Sequence, residues 1–438
     1  MMSDLNARHD PYAALRFRDF RLLITARFCG VLGEQMAGVA VGWELYSRTK
    51  DTLYLGLVGL VQVLPVIFLS LPAGTVADRY NRKRVVAVAQ VLAALSSLGL
   101  VIVSATNVAA VSAGPVARLG CLVGTCLTPI GQSQLVLFYL FLLGIGVARA
   151  FNNPASGALL TQTVPPEHFT NAVTYSSSAW QLASVIGPGL GGLLIALFGS
   201  AWQIYCFDVA AAILFAALAL MIRGKQKARA REPVTLKSLV AGASFVFRTP
   251  IILAAITLDM FAVLLGGAVA LLPVYADDIL RVGPTGLGVM RAAPSIGALL
   301  TALLVARRGA IPNVGRTLLF AVAGFGFATI IFGISQNILL SVAMLFVLGG
   351  MDQISVVIRS TLLLVNTPDE MRGRVSAVNS VFIGTSNELG AFESGVVARL
   401  FGTVGSVVIG GIGTIVVVSL VALAAPQLRR LKHMEAEK

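Results

Sequence analysis

Gly74-Thr-Val-Ala-Asp-Arg-Tyr-Asn-Arg-Lys-Arg84 contains the tetrad Val76-Ala-Asp-Arg79, and 229 positions further on the chain carries Val305-Ala-Arg-Arg308. The same offset takes Tyr46, Gly59 and Pro65 to Tyr275, Gly288 and Pro294. A second offset, 203, takes Gly146, Leu159, Leu160, Gly187, Phe198 and Gly199 to Gly349, Leu362, Leu363, Gly390, Phe401 and Gly402. Two halves of similar build in an apolar chain predict a membrane protein with its site between them. The offsets differ by 26, so the first half carries an insertion between Arg79 and Gly146.

Apolar residues make up 57% of the 438 and charged residues 12%, with a mean hydropathy of +0.86. A soluble protein of this size could not keep so little charge on its surface. Twelve apolar stretches are long enough to cross a bilayer as helices, at roughly 20–46, 52–74, 84–106, 134–158, 172–197, 202–222, 250–276, 284–306, 315–335, 338–361, 374–400 and 405–426. The predicted fold is an all-α membrane protein of twelve transmembrane helices in two pseudo-symmetric six-helix bundles. The first bundle takes residues 1–222, with an extracytoplasmic insertion at about 107–133. A basic linker follows at 223–249, and residues 250–438 form the second bundle and a short tail. Leu236 to Phe247 of the linker reads as a short amphipathic helix on the membrane surface.

The net charge of +13 is a topology signal rather than a nucleic-acid footprint. With the N-terminus inside, the cytoplasmic segments hold 24 of the 33 Lys and Arg residues and the opposite side holds 4. That imbalance places both termini in the cytoplasm. Residues 1–19 are polar, with no removable signal peptide expected. Cys29 and Cys206 fall in helices as small apolar fillers. Cys121 and Cys126 lie in the 107–133 segment, where a disulfide and two free thiols are both open.

The Gly74–Arg84 turn resembles the signature of the major facilitator superfamily, G-x-x-x-D-R-x-G-R-[RK], with Asn81 in place of its second glycine. Asn tolerates left-handed backbone, so the turn is expected to survive. The resemblance implies a cytoplasmic gate in which Asp78 engages the start of the eleventh span at Arg372 and Arg374, with Gly74, Arg79 and Arg82 completing it. The second-half copy has lost the aspartate, so the two gates are not equivalent. Gly187-Pro-Gly-Leu-Gly-Gly192 resembles the glycine motif of the superfamily's antiporters. Gly187, Pro188, Gly191 and Gly192 therefore serve either helix bending or plain close packing. Asp352 to Ser360, Thr367 to Asn379, Ser386 to Gly390 and Trp43 to Tyr46 resemble the enterobactin-exporter-like branch, a group of proton-driven siderophore and drug exporters in bacterial cytoplasmic membranes.

Twelve charged residues fall inside the predicted helices: Arg27, Glu34, Glu44, Arg149, Asp208, Asp259, Arg291, Asp352, Arg359, Glu388, Glu393 and Arg399. At mid-membrane such groups face a cavity or one another. By depth alone, Glu44, Asp208 and Arg399 sit near the outer ends and snorkel. Proton coupling needs a carboxyl group shifted toward neutrality by burial. Glu34 is the first candidate, followed by Asp352, Glu388 and Asp259. Arg27, Arg149, Arg291 and Gln62 are candidates for contact with substrate or with the acids. The repeat makes Arg149 equivalent to Asp352 and Gln62 to Arg291, so an Arg149–Asp352 pair across a central cavity is expected. For any single acid, a structural ion pair remains the competing role. His9, His168 and His433 all lie in cytoplasmic segments and are excluded from coupling.

No HExxH, Walker loop, nucleophile elbow or paired CxxC occurs. The reading is therefore a gradient-driven transporter, not an enzyme, with no cofactor or metal. Its partners would be a small-molecule substrate, protons and membrane lipid, and it would act as a monomer. A proton-coupled siderophore exporter is favoured, with multidrug efflux as the alternative. A lipid flippase, a sugar symporter and a non-transporting receptor are the remaining readings.

Overall fold

A computed structural model describes residues 12–105, 130–223, 236–308 and 312–431, and within them every regular element is helical. The first bundle comprises α1 (Arg18–Thr49), α2 (Thr52–Arg79), α3 (Arg82–Ala105), α4 (Ile130–Leu160), α5 (Phe169–Phe198) and α6 (Trp202–Leu220). A linker helix, α7 (Leu236–Arg248), leads to the second bundle. That bundle comprises α8 (Pro250–Leu265), α9 (Gly283–Arg308), α10 (Val314–Ile334), α11 (Ile338–Val365), α12 (Asp369–Phe401) and α13 (Thr403–Ala424). Among the described residues, eleven helical stretches are long and apolar enough to span a membrane. The remaining span, α12, is as long as the others but carries Asn387, Glu388, Glu393 and Arg399, and its polar face lines the site. Cys121, Cys126 and most of the insertion lie outside the described residues.

The bundles meet along two helix pairs, α2 with α12 and α5 with α9. Glycine permits both contacts. A Cβ placed on Gly192 would lie 2.8 Å from the Gly288 Cα, and one on Gly395 would lie 2.8 Å from the Gly56 Cα. Gly192 and Gly395 are related by the offset of 203, so the two seams are symmetry mates. The rest of the glycine motif packs α5 on α1, with Gly187 against Gln35 and Gly191 against the Met36 backbone. The motif is thus a two-sided packing surface.

One predicted helix is interrupted. The stretch read as 250–276 ends as α-helix at Leu265, where Gly266 and Gly267 open the chain. A 3-10 turn (Ala268–Leu271), a short helical piece (Leu272–Val274) and a π-turn (Tyr275–Ile279) complete the crossing. The break brings Gly267 against the Gly390 carbonyl of α12, 2.6 Å from where a Cβ would sit. The linker helix packs one face on α12, with Val246 buried and Gly242 lying against the Arg374 carbonyl.

The turn between α2 and α3 needs no left-handed residue, because Asn81 has an ordinary negative φ. Its carbonyl accepts from the Arg84 and Val85 amides and starts α3. Arg82 bonds the Ala77 and Ala158 carbonyls, tying α2, α3 and α4 together at this end, and Arg372 bonds the Leu364 carbonyl. Gly74 has open space around it, and Arg79 is exposed. The Asp78 side chain lies outside the described residues.

Candidate functional site

Two cavities meet at the centre of the molecule. One, of about 300 Å³, lies between the bundles and is lined by Glu34, Gln62, Arg149, Asp208, Arg291, Asn387 and Glu388, together with Val269 and Ala270 of the broken span. The other, of about 450 Å³, extends into the first bundle and is lined by Arg27, Glu34, Gln90, Arg149, Asn152, Ser156, Trp180 and Asp208. Glu34, Gln35, Arg149 and Asp208 belong to both, so the two are confluent.

Arg149 of α4 organises this junction. One guanidinium nitrogen pairs with the Glu34 carboxylate of α1 at 2.5 Å, and another donates to the Gln62 side-chain oxygen of α2 at 2.7 Å. The side chains of Glu34 and Arg149 are 40% and 32% exposed. A pair this accessible to cavity water sits nearer the 0.2–1 kcal/mol of exposed pairs than the roughly 3–5 kcal/mol lost on breaking a buried one. It is therefore readily exchanged. Arg27 donates to the Ser176 hydroxyl at 2.7 Å.

Arg291 of α9 and Glu388 of α12 face the same cavity from the second bundle. The Arg291 Nε has no hydrogen-bond partner, although its side chain is largely enclosed. Among the described residues, neither side chain makes an ion pair or hydrogen bond, whereas Glu34 and Arg149 are matched. Glu388 leans on the seam between bundles, its carboxylate 3.0 Å from where a Gly59 Cβ would sit.

The predicted Arg149–Asp352 pair is not formed. Asp352 lies in the second bundle, in a small pocket with Asp259 and Ser355 and away from Glu34 and Arg149. The reason is in the symmetry. The two offsets carry Gly30 and Glu34 to Asp259 and Val263, and Arg149 and Asn152 to Asp352 and Ser355. Equivalent residues occupy equivalent pockets, one inside each bundle, instead of facing each other across a shared cavity. Asp259 forms an ion pair with Arg359, their side chains only 8% and 4% exposed. Breaking that pair would cost about 3–5 kcal/mol, more than exchanging the exposed Glu34–Arg149 pair.

Asp208 was expected to snorkel from an outer end and instead lines both cavities. It accepts from the Ser97 hydroxyl of α3 at 2.6 Å and rests against Gly33 of α1. Depth along a helix does not reveal which way a residue faces, and the nearby small and hydroxyl residues Gly33 and Ser97 were the available sign. Glu44 is likewise buried, accepting from Tyr205 at 2.8 Å and paired with Arg48 at 2.6 Å.

The end carrying the α1–α2 turn is held shut by contacts between bundles. Lys50 pairs with Asp277 and with Asp278, the latter at 3.4 Å, and Tyr46 donates to Asp278. Arg399 meets Asp51 at 3.6 Å, and the Thr52 hydroxyl donates to the Gly395 carbonyl at 3.1 Å. Hydrogen bonding to Asp277 raises the Lys50 ammonium above the ordinary lysine range.

The model of the Major Facilitator Superfamily matches residues 23–391. The enterobactin exporter EntS of Shigella flexneri is 27% identical over 417 residues, covering 94% of this chain and 93% of that protein. A bacterial homologue of the human lysosomal transporter Spinster, solved in an inward-facing and occupied conformation, superposes with a TM-score of 0.70 at 13% identity, covering 97% of this chain and 99% of that one. A D-xylose–proton symporter superposes with a TM-score of 0.68 at 13% identity, covering 94% and 99%. These two structures speak for the fold alone.

Proposed function

The chain belongs to the Major Facilitator Superfamily, and from that premise we propose that it is a proton-coupled exporter of a small organic anion, a siderophore in the first instance, across a bacterial cytoplasmic membrane. It is a multi-pass membrane transporter; the cargo, the coupling ion and the direction are the proposal. Both termini face the cytoplasm in this reading, as the basic segments suggest, and a single chain suffices as the working unit.

The observation that carries the reading is the contrast inside the cavity. An exchangeable Glu34–Arg149 pair stands beside Arg291 and Glu388, which among the described residues make no hydrogen bond or ion pair. In the exchange cycle the anion travels outward on Arg291 and Arg149 while Glu34 is ionised. After its release outside, Glu34 takes up a proton and the empty carrier returns; loss of that proton to the cytoplasm restores the Glu34–Arg149 pair. Alternating access follows if the bundles part along one pair of seams as they close at the other end. The curated relative that exports enterobactin supports a siderophore as cargo. Val41, Leu55 and Leu142 in the wall of the same cavity favour amphipathic drugs as the second reading.

The test is transport in proteoliposomes with an imposed pH gradient and enterobactin as the probe. Glu34→Gln is expected to abolish gradient-driven flux while retaining binding, and Arg291→Gln to weaken binding at least about tenfold, the equivalent of 1.4 kcal/mol. Wild-type coupling in the Glu34 variant would remove that residue from the mechanism.

A further inference from the structure

The pocket around Asp352 contains more charge than its surroundings neutralise. Asp259 and Arg359 cancel as a buried ion pair. Asp352 has no hydrogen-bond or ion-pair partner among the described residues, and Ser355, one turn further along α11, is 3% exposed with its hydroxyl unpartnered. Both line one small cavity of about 10 Å³ together with Asp259, and its remaining walls are apolar, among them Val322 and Phe325 of α10. That volume is about one water or one small ion. A buried hydroxyl without a partner and a carboxylate without a counter-charge each cost free energy, and one occupant at this point relieves both.

We propose that Asp352 and Ser355 form a site for a single monovalent cation, a proton or sodium, in the second bundle and separate from the substrate cavity. Two acids and one base leave a net charge of −1, which one monovalent cation balances and a divalent ion would overshoot. Charged groups that could compete are few. On the α9 side α11 packs through Pro294, Gly297 and the Thr301 hydroxyl, and α10 offers only apolar side chains. Asp259 is the remaining charged group that lines the pocket, and it is paired with Arg359.

The site has a route to the cavity between the bundles. Val263 of α8 lines the pocket, and its carbonyl and that of Leu264 each lie 2.8 Å from where a Gly390 Cβ would sit. Gly390 is two residues from Glu388, which lines the cavity. Gly266 and Gly267, where α8 breaks, follow directly. An ion that tightens the last turn of α8 would thereby move both the broken segment and the α12 backbone beside Glu388. The pocket is the symmetry mate of the Glu34–Arg149 chamber, so each bundle would carry its own cation-responsive centre. This inference rests on the reading of the chain as an ion-driven transporter.

Equilibrium binding tests it without relying on transport. The full chain in detergent is titrated with radioactive sodium, and its thermal unfolding is followed against NaCl, choline chloride and pH. Saturable sodium binding that is lost in Asp352→Asn and weakened about tenfold in Ser355→Ala identifies a sodium site. Absence of sodium binding, with a pH dependence of the unfolding midpoint that Asp352→Asn reduces, identifies a proton site. Ser355→Ala removes no protein hydrogen bond, so it keeps the test open if the Asp352 variant fails to fold. Neither sodium binding nor a Asp352-dependent pH response, or responses unchanged in both variants, overturns the site. Loss of transport in Glu34→Gln with the Asp352 responses intact would leave the two readings independent.

Discussion

Gly192→Ala should push the molecule out of the conformation described here. A Cβ at Gly192 would lie 2.8 Å from both the Cα and the amide nitrogen of Gly288, whereas carbon atoms in favourable contact sit about 3.5–4.0 Å apart. Backbone atoms cannot rotate away, so α5 and α9 must separate by about 1 Å or lose this seam. Overpacking of that kind costs about 1–3 kcal/mol. The penalty falls only on conformations in which the two glycines touch. If the bundles part there during the cycle, the balance shifts toward the parted state by about 5- to 150-fold. The assay is a pulsed-EPR distance between spin labels at Leu197 on α5 and Val289 on α9, both exposed. Gly189→Ala is the matched control: it lies on the same helix with nothing within 4 Å of its Cβ position. Both substitutions gain similar helix propensity, about 1 kcal/mol, so that contribution cancels. A longer distance population in Gly192→Ala alone is the expected result. Identical distance distributions in the two variants would refute the claim that this contact is a moving seam.

Asp208→Asn keeps an oxygen that can accept from Ser97 but removes an acid from the chamber shared with Glu34 and Arg149. Gradient-driven flux should fall about tenfold or more with the thermal unfolding midpoint nearly unchanged; an unaltered flux would return Asp208 to a packing role. Lys50→Gln removes the cation from the Asp277–Asp278 contact, where Lys50 is 53% exposed. An exposed pair contributes about 0.2–1 kcal/mol, so the closed population at that end should fall less than about fivefold, and raised salt should erase the difference. Because Asp277 raises the Lys50 ammonium above its ordinary range, the contact's contribution is present below the ordinary lysine range and fades only as pH climbs through the elevated value. The same spin-label measurement between Lys50 and Asp277 ends, made on neighbouring exposed positions across a pH series, checks both statements.

The architecture was legible because its cause is one-dimensional. Bilayer thickness imposes a length on each apolar run, and all of the twelve stretches but 250–276 reappear as unbroken helices within about five residues of their expected bounds. The interruption at Gly266-Gly267 was hidden for the same reason: the run stays apolar through Leu271 and Leu272, and hydropathy carries no information on backbone continuity. Packing supplies it. Gly390 on α12 offers a surface close enough that the chain at Gly267 leaves the helix to meet it. The Asn81 turn shows the reverse case, where a tolerance for left-handed backbone was available and went unused.

The charged residues divide along a line that linear sequence cannot draw. Glu34 and Asp208 share a chamber because rotation about α1 and α6 turns both toward Arg149, and that rotation is set by contacts such as Gly33 against Asp208. Arg149 and Asp352 occupy equivalent positions yet belong to different pockets, because symmetry between bundles maps interior to interior. What differs is the neighbour. In the first bundle Arg149 meets Glu34; in the second, Val263 holds the place of Glu34 and Asp352 has no partner among the described residues. One chamber is therefore internally neutral at its centre and wide, and the other carries an unmatched charge and is the size of an ion. A duplicated fold has kept its frame and exchanged the sign of the group at the same place in each half, and that asymmetry is where transport and ion response can be assigned to different bundles.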